Sequence, residues 1–248
     1  MAVSIDTVYQ KVLALANKEQ RGYITPQEFN LFADMVQKEI FEQYFYDMNQ
    51  WMRQPGNQTA HSDMVDLLQK KIAMFELWAV NPNTTPANIY GDVNLIDNFP
   101  DFYKIIEVLI NYHDGKGANV AEEMTIKEIR KYNSSPLTTV NSTRPYYHHY
   151  FNVYDRIKFY PWDYNDVNNI SISTSYIRRP GKPNWAYILV SERPLYEASA
   201  SNDFELHASE ESELVYRILA LAGIAIEKPQ VTQTAASLQT AQVEQEKQ

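Results

Sequence analysis

TPQEFNLFADMVQKEIFEQYFYDMNQW, residues 25–51, is the stretch on which the fold turns. Thr25 has a side-chain acceptor suited to an N-cap, Pro26 has its φ preset for the first helical position, and Glu28 stands three residues after the cap, completing a capping box. Behind this start, Phe29, Phe32, Ala33, Val36, Ile40, Phe41, Tyr44, Phe45, Met48 and Trp51 recur at helical spacing until Pro55-Gly56. The spacing predicts one long helix with a wide aromatic face. Such a face must be covered, and two neighbouring stretches have the pattern to cover it. Ser4–Ala16 carries Ile5, Val8, Val12, Leu13 and Leu15; Ser62–Phe75 carries Val65, Leu68, Ile72 and Phe75. Residues 1–80 are therefore expected to form a helical bundle.

The character changes after Trp78, where Asn81-Pro82-Asn83-Thr84-Thr85-Pro86 is a turn cluster followed by short β-branched and aromatic runs. Strands are expected at Asp155–Tyr160, Asn169–Tyr176 and Trp185–Val190. Tyr103–Tyr112 reads as strand or helix, and Met124–Tyr132 as a short helix or an extended arm. Ser209-Glu210-Glu211-Ser212-Glu213 then opens a helix, with a Ser cap, acids against the positive end of the dipole, and an apolar run to Gly223. The expected class is α+β: an N-terminal helical bundle over 1–80, a central antiparallel β-rich region over 81–208, a C-terminal helix over 209–228 and a polar arm over 229–248. Six of the last twenty residues are Gln. Val231, Ala235 and Leu238, extended by Gln242, make one thin helical stripe, too little apolar surface for a core of its own but suited to a partner.

Composition removes several functional classes. A net charge of −9 leaves no basic footprint for gripping phosphates, so sequence-specific nucleic-acid binding is not expected. Cysteine is absent, which excludes disulfides, thiolate zinc sites and cysteine nucleophiles. No stretch approaches the ~20 apolar residues of a membrane span. Met1–Asp6 has no signal-peptide character, so synthesis in a cytoplasm without membrane insertion is the expectation.

Candidate sites are few. Asn17, Glu19, Gly22 and Glu28 fall at positions one, three, six and twelve of a calcium-loop pattern. Arg21 occupies the fifth position, where calcium needs an oxygen, so the competing account is a helix–turn–helix in which Glu28 caps the second helix; no metal and no cofactor is expected. The adjacent His148 and His149 would face opposite sides of a strand, and the other three histidines are isolated. His-Glu-x-x-His, Gly-x-Ser-x-Gly and P-loop patterns are missing. Asp203, Glu205, Glu210, Glu211 and Glu213 are the one cluster of acids, three of them explained by the helix start. No catalytic residue is assigned and enzyme activity is not expected. Aromatics crowd the segment Pro145–Tyr164, including Tyr146, Tyr147, Tyr150 and Trp162, and three readings stay open: core, protein interface, or a stacking platform for sugar. Arg178 and Arg179, on the loop that follows, could pair with a neighbour's acids.

Four blocks carry a resemblance across most of the chain: Asn17–Asp47 (NKEQRGYITPQEFNLFADMVQKEIFEQYFYD), Ile157–Pro161 (IKFYP), Tyr176–Trp185, and Asn202–Ile224 (NDFELHASEESELVYRILALAGI). Together they resemble tailed-bacteriophage virion proteins of the head-to-tail connector or ring (adaptor) type, as in crAss-like and marine phages. The blocks are packing and turn motifs rather than catalytic ones. The resemblance implies a homo-oligomeric ring of twelvefold symmetry beneath the portal. Such a ring would join capsid to tail, help line the DNA passage and contact the portal and neighbouring connector or tail proteins. It also implies a virion location after synthesis in the host bacterium. In that setting Tyr146, Tyr147, Tyr150, Trp162, Arg178, Arg179, Val231, Ala235, Leu238 and Gln242 are the expected subunit or partner contacts. The alternatives are a tail-associated carbohydrate- or receptor-binding module and a cell-wall-degrading glycosidase.

Overall fold

A computed structural model of the chain describes residues 3–18, 24–53, 59–80, 92–95, 99–112, 117–150, 156–161, 170–191, 193–225 and 237. The chain divides into two compact units: residues 75–179 form one, and residues 1–74 together with 180–248 form the other. Both are built from helices and strands in the α+β manner expected.

The discontinuous unit is helical. Its elements are α1 (Ile5–Lys18), α2 (Pro26–Arg53) and α3 (Thr59–Ala73), joined by the C-terminal helix. The capping box at the start of α2 forms as the sequence dictates: Glu28 N donates to Thr25 Oγ1, and Thr25 N donates to Glu28 Oε2 at 3.0 Å. Phe29, Ala33, Val36, Ile40, Phe41 and Tyr44 are buried along one face of α2. Ile5, Val8 and Val12 of α1 and Leu68 and Ile72 of α3 are buried in the same unit, and the Tyr9 ring of α1 packs 4.7 Å from Phe29.

Residues 180–208 belong to this unit, not to the sheet with which the sequence reading grouped them. The reason lies in long-range hydrogen bonds that sequence periodicity does not encode. Gln37, fully buried in α2, donates through Nε2 to Gly181 O at 2.6 Å and accepts from Glu205 N at 3.0 Å. Asn30 donates through Nδ2 to Trp185 O at 3.2 Å and accepts from Trp185 N at 2.8 Å. Within the same stretch, β8 (Tyr187–Val190) and β9 (Arg193–Tyr196) form a two-stranded hairpin.

The other unit is a seven-stranded sheet in the order β1-β7-β3-β4-β5-β6-β2. The strands are β1 (Glu76–Val80), β2 (Asp92–Asn94), β3 (Phe102–Tyr112), β4 (Gly117–Glu123), β5 (Tyr146–Tyr150), β6 (Arg156–Tyr160) and β7 (Ile170–Arg178). Period-two burial of Val108, Ile110 and Tyr112 resolves the 103–112 ambiguity in favour of a strand. The expected helix ending at Phe75 stops at Ala73, and the chain continues directly into β1, which was not foreseen. One pair departs from the antiparallel arrangement. β4 and β5 run parallel, with Glu122 opposite Tyr146 and Glu123 opposite Tyr147. The 124–145 connection between them is long enough for such a crossover and contains α4 (Ile126–Asn133), a helix with its own Thr125–Glu128 capping box.

α5 (Glu211–Ala225) completes the helical unit and packs on α1 and α2. Its start is preceded by a 3-10 turn over Ala208–Glu210, capped by His207 rather than by Ser209. The helix also runs through Gly223, which is buried, instead of ending there. Gln37→Leu should lower stability by about 2 kcal/mol, because Gly181 O and Glu205 N lose their partner at once. Urea denaturation of the two proteins checks this.

Candidate functional site

Two features of the helical unit stand out, a lined cavity and an apolar hairpin. The cavity, about 320 Å³, lies between the second half of α2, α3 and the turn leading into α5. Ile40, Tyr44 and Trp51 from α2 and Met64, Leu67 and Leu68 from α3 give it apolar walls, while Asp47, Lys71, His207, Ser209, Glu210 and Glu213 supply polar groups.

Those polar groups belong to a buried charge network. Lys71 Nζ pairs with Glu210 Oε1 at 2.5 Å, both side chains being 10 % exposed or less, and the ammonium also lies 5.5 Å from the centre of the Tyr44 ring. One turn into α5, Arg217 pairs with Glu213, reaches Glu39 of α2 at 2.8 Å and donates to Gln43. Burial pushes the Glu213 carboxyl up to about 7, the Arg217 guanidinium opposes the shift, and the neighbouring Glu210 carboxyl reinforces it.

The hairpin is held at its root by Trp185. The indole is buried, donates through Nε1 to Asp6 at 3.0 Å, and packs 4.4 Å from the Tyr9 ring. Tyr187 and Tyr196, a cross-strand pair, stack on it at 5.9 and 5.7 Å. Beyond this root the ribbon turns through Ser191, whose φ of 51° is the left-handed conformation that a tight hairpin turn requires. Leu189 is 70 % exposed, and Ile188, Val190 and Leu195 are each about half exposed. A two-stranded ribbon is marginal in water on its own, and this one presents its aliphatic side chains outward.

The residues singled out from sequence fall elsewhere. Tyr146 and Tyr147 are buried in the sheet unit, so they serve as core and cannot form an exposed sugar platform or partner surface. Tyr147 belongs to the sheet core with Phe102, Ile157 and Phe159, and burial holds its hydroxyl well above the usual tyrosine range. Tyr150 is half-buried and packs edge-on against His148. Arg178 ends β7 with its amide bonded to Phe75 O, and Arg179 is exposed beside it. Trp162, Val231, Ala235, Leu238 and Gln242 lie outside the described residues, as do Glu19 and Gly22. Asn17 lies at the end of α1, whereas Glu28 is committed to Thr25, whose hydroxyl and amide hold its carboxyl below the usual range. Among the described residues, no group of three or more His, Asp and Glu is placed to hold a metal ion, and no helix is long and apolar enough to cross a membrane.

The acidic cluster is spoken for as well. Asp203 accepts from Ile5 N at the start of α1, Glu205 from Gly181 N, and Glu211 pairs with Lys11. Glu210 pairs with Lys71 and Glu213 with Arg217. Sequence reasoning took these two carboxylates as helix-start acids and missed the cavity; the usable signal was Lys71, a cation on the inward face of α3. Comparison with protein-family models gives no match, and comparison with curated proteins gives none either.

Glu213 binds its proton more tightly in the folded chain than in the unfolded one, so it favours folding below about pH 4.5 and loses that contribution as pH rises through about 7. Glu213→Gln should therefore flatten the fall in stability between pH 5 and pH 8 relative to the parent, as read from urea midpoints across that range.

Proposed function

We propose that this chain is a structural subunit of a phage virion, assembling into a multimeric ring of the head-to-tail connector beneath the portal. The exposed aliphatic hairpin at β8–β9 carries the reading. Proteins that act alone rarely present a contiguous apolar ribbon to water, whereas subunits that bury it against a neighbour do so by design. The sequence resemblance supports the same role, since two of its blocks, Tyr176–Trp185 and Asn202–Ile224, flank the hairpin and include Trp185, which anchors it. Engagement of each clustered acid by a backbone amide or a cation also fits a scaffold better than a turnover site.

Ring subunits meet through heterologous surfaces, one patch on the leading side and a different patch on the trailing side. The net charge of −9 suits a wall along which DNA must slide without sticking. The Gln-rich segment 229–248 is expected to add a further contact to a neighbour, beyond the described residues.

Native mass measurement on the purified 28.8 kDa chain should reveal a closed multimer, alone or on addition of its portal. Deleting 229–248 should leave the thermal midpoint unchanged while weakening assembly. A chain that stays monomeric with and without a portal would overturn the reading.

A further inference from the structure

We infer that the β8–β9 hairpin of one copy docks into the α2–α3–α5 cavity of a second copy of this chain. The inference rests on the ring reading and names the two surfaces that such a ring would join.

Position is the first argument. The hairpin root is tied to Asn30, near the start of α2, whereas the cavity is built around Gln43–Trp51 near its end. From Asn30 to Asp47 the helix rises about 25 Å, so the two features lie toward opposite ends of one long helix in the same unit. A short hairpin rooted at one end does not fill a cavity at the other; a neighbour's hairpin can. Repeating such an end-to-end contact gives a head-to-tail series, closed if each step includes the right rotation.

Chemistry is the second. The ribbon presents Leu189, Ile188 and Val190 at its tip, with exposed Arg193 directly across from Val190. The cavity is lined by Leu67 and Met64 and by Asp47, whose carboxylate accepts from Gln43, while Glu210 pairs with Lys71 and Glu213 with Arg217. Aliphatic groups thus meet aliphatic walls, and Arg193 meets the Asp47 carboxylate. At about 320 Å³ the cavity is at the small end for an organic ligand and suited to the side chains of a hairpin tip.

The natural absence of cysteine gives a clean test. Leu189→Cys and Leu67→Cys change exposed side chains, so both variants should fold, and a circular dichroism melt verifies it. Mixed and oxidised, the two single variants should give a disulfide-linked dimer that neither gives alone, and the double variant should give a ladder of multimers. Leu189→Asp should weaken self-association roughly tenfold or more, the scale of an interface side chain that matters, and Leu67→Asp should do the same. Multimers that form normally in both Asp variants, with no mixed crosslink, would overturn the docking while leaving the ring reading intact. Crosslinking of Leu189→Cys to itself alone would replace the cavity with a hairpin-to-hairpin contact and overturn it too. If no species above monomer forms under any condition, portal included, both ideas fall together.

Discussion

The reciprocal hydrogen bonds between Asn30 and Trp185 are the constraint from which the helical unit takes its form. An amide side chain on α2 both donates to and accepts from one residue of the returning chain, so it fixes position and direction together. With the backbone held, the Trp185 ring is driven among Tyr9, Asp6 and the Tyr187–Tyr196 pair, and the hairpin must leave the unit at that point. Gln37 repeats the device two turns along α2, gripping Gly181 and Glu205 on either side of the hairpin. Gln37 is buried and Asn30 partly so, and an amide taken out of water costs free energy unless its groups find partners, which both of these do. The result is a hairpin rooted on a rigid helix yet exposed at its tip.

A second consequence concerns charge. α5 begins with acids that helix-dipole reasoning explains adequately, but two of them are turned inward against Lys71 and Arg217. Pairs buried in this way contribute little net stability, since desolvation cancels much of the attraction, while breaking one leaves a costly lone charge. Their effect is to specify which faces of α2, α3 and α5 come together. The two pairs, Lys71–Glu210 and Arg217–Glu213, also lie beside the cavity between these helices.

Much of the fold was legible locally. Thr25-Pro26-Gln27-Glu28 announced α2, and the apolar spacing behind it placed the buried face. Alternation marked β6 and β7, although β1, β2, β4, β5 and β9 were missed because each is short or polar enough that no clear alternation shows. What could not be read was pairing at a distance: Gln37 and Glu205 are 168 positions apart, and nothing in either neighbourhood points to the other. The site suffered most from this. For Tyr146 and Tyr147 core, interface and sugar platform all stood open from the sequence, and burial in the sheet unit makes them core. Leu189 fell inside the expected strand Trp185–Val190, and only its 70 % exposure gives it meaning.

Hydrogen–deuterium exchange on the full chain, compared between monomer and assembled multimer, tests the central claim most directly. The account predicts that 187–196 and the cavity walls at 43–51 and 64–71 gain protection together on assembly, with the β3–β7 sheet core unchanged. Protection gained along the sheet unit, with the hairpin as open in the multimer as in the monomer, would contradict it.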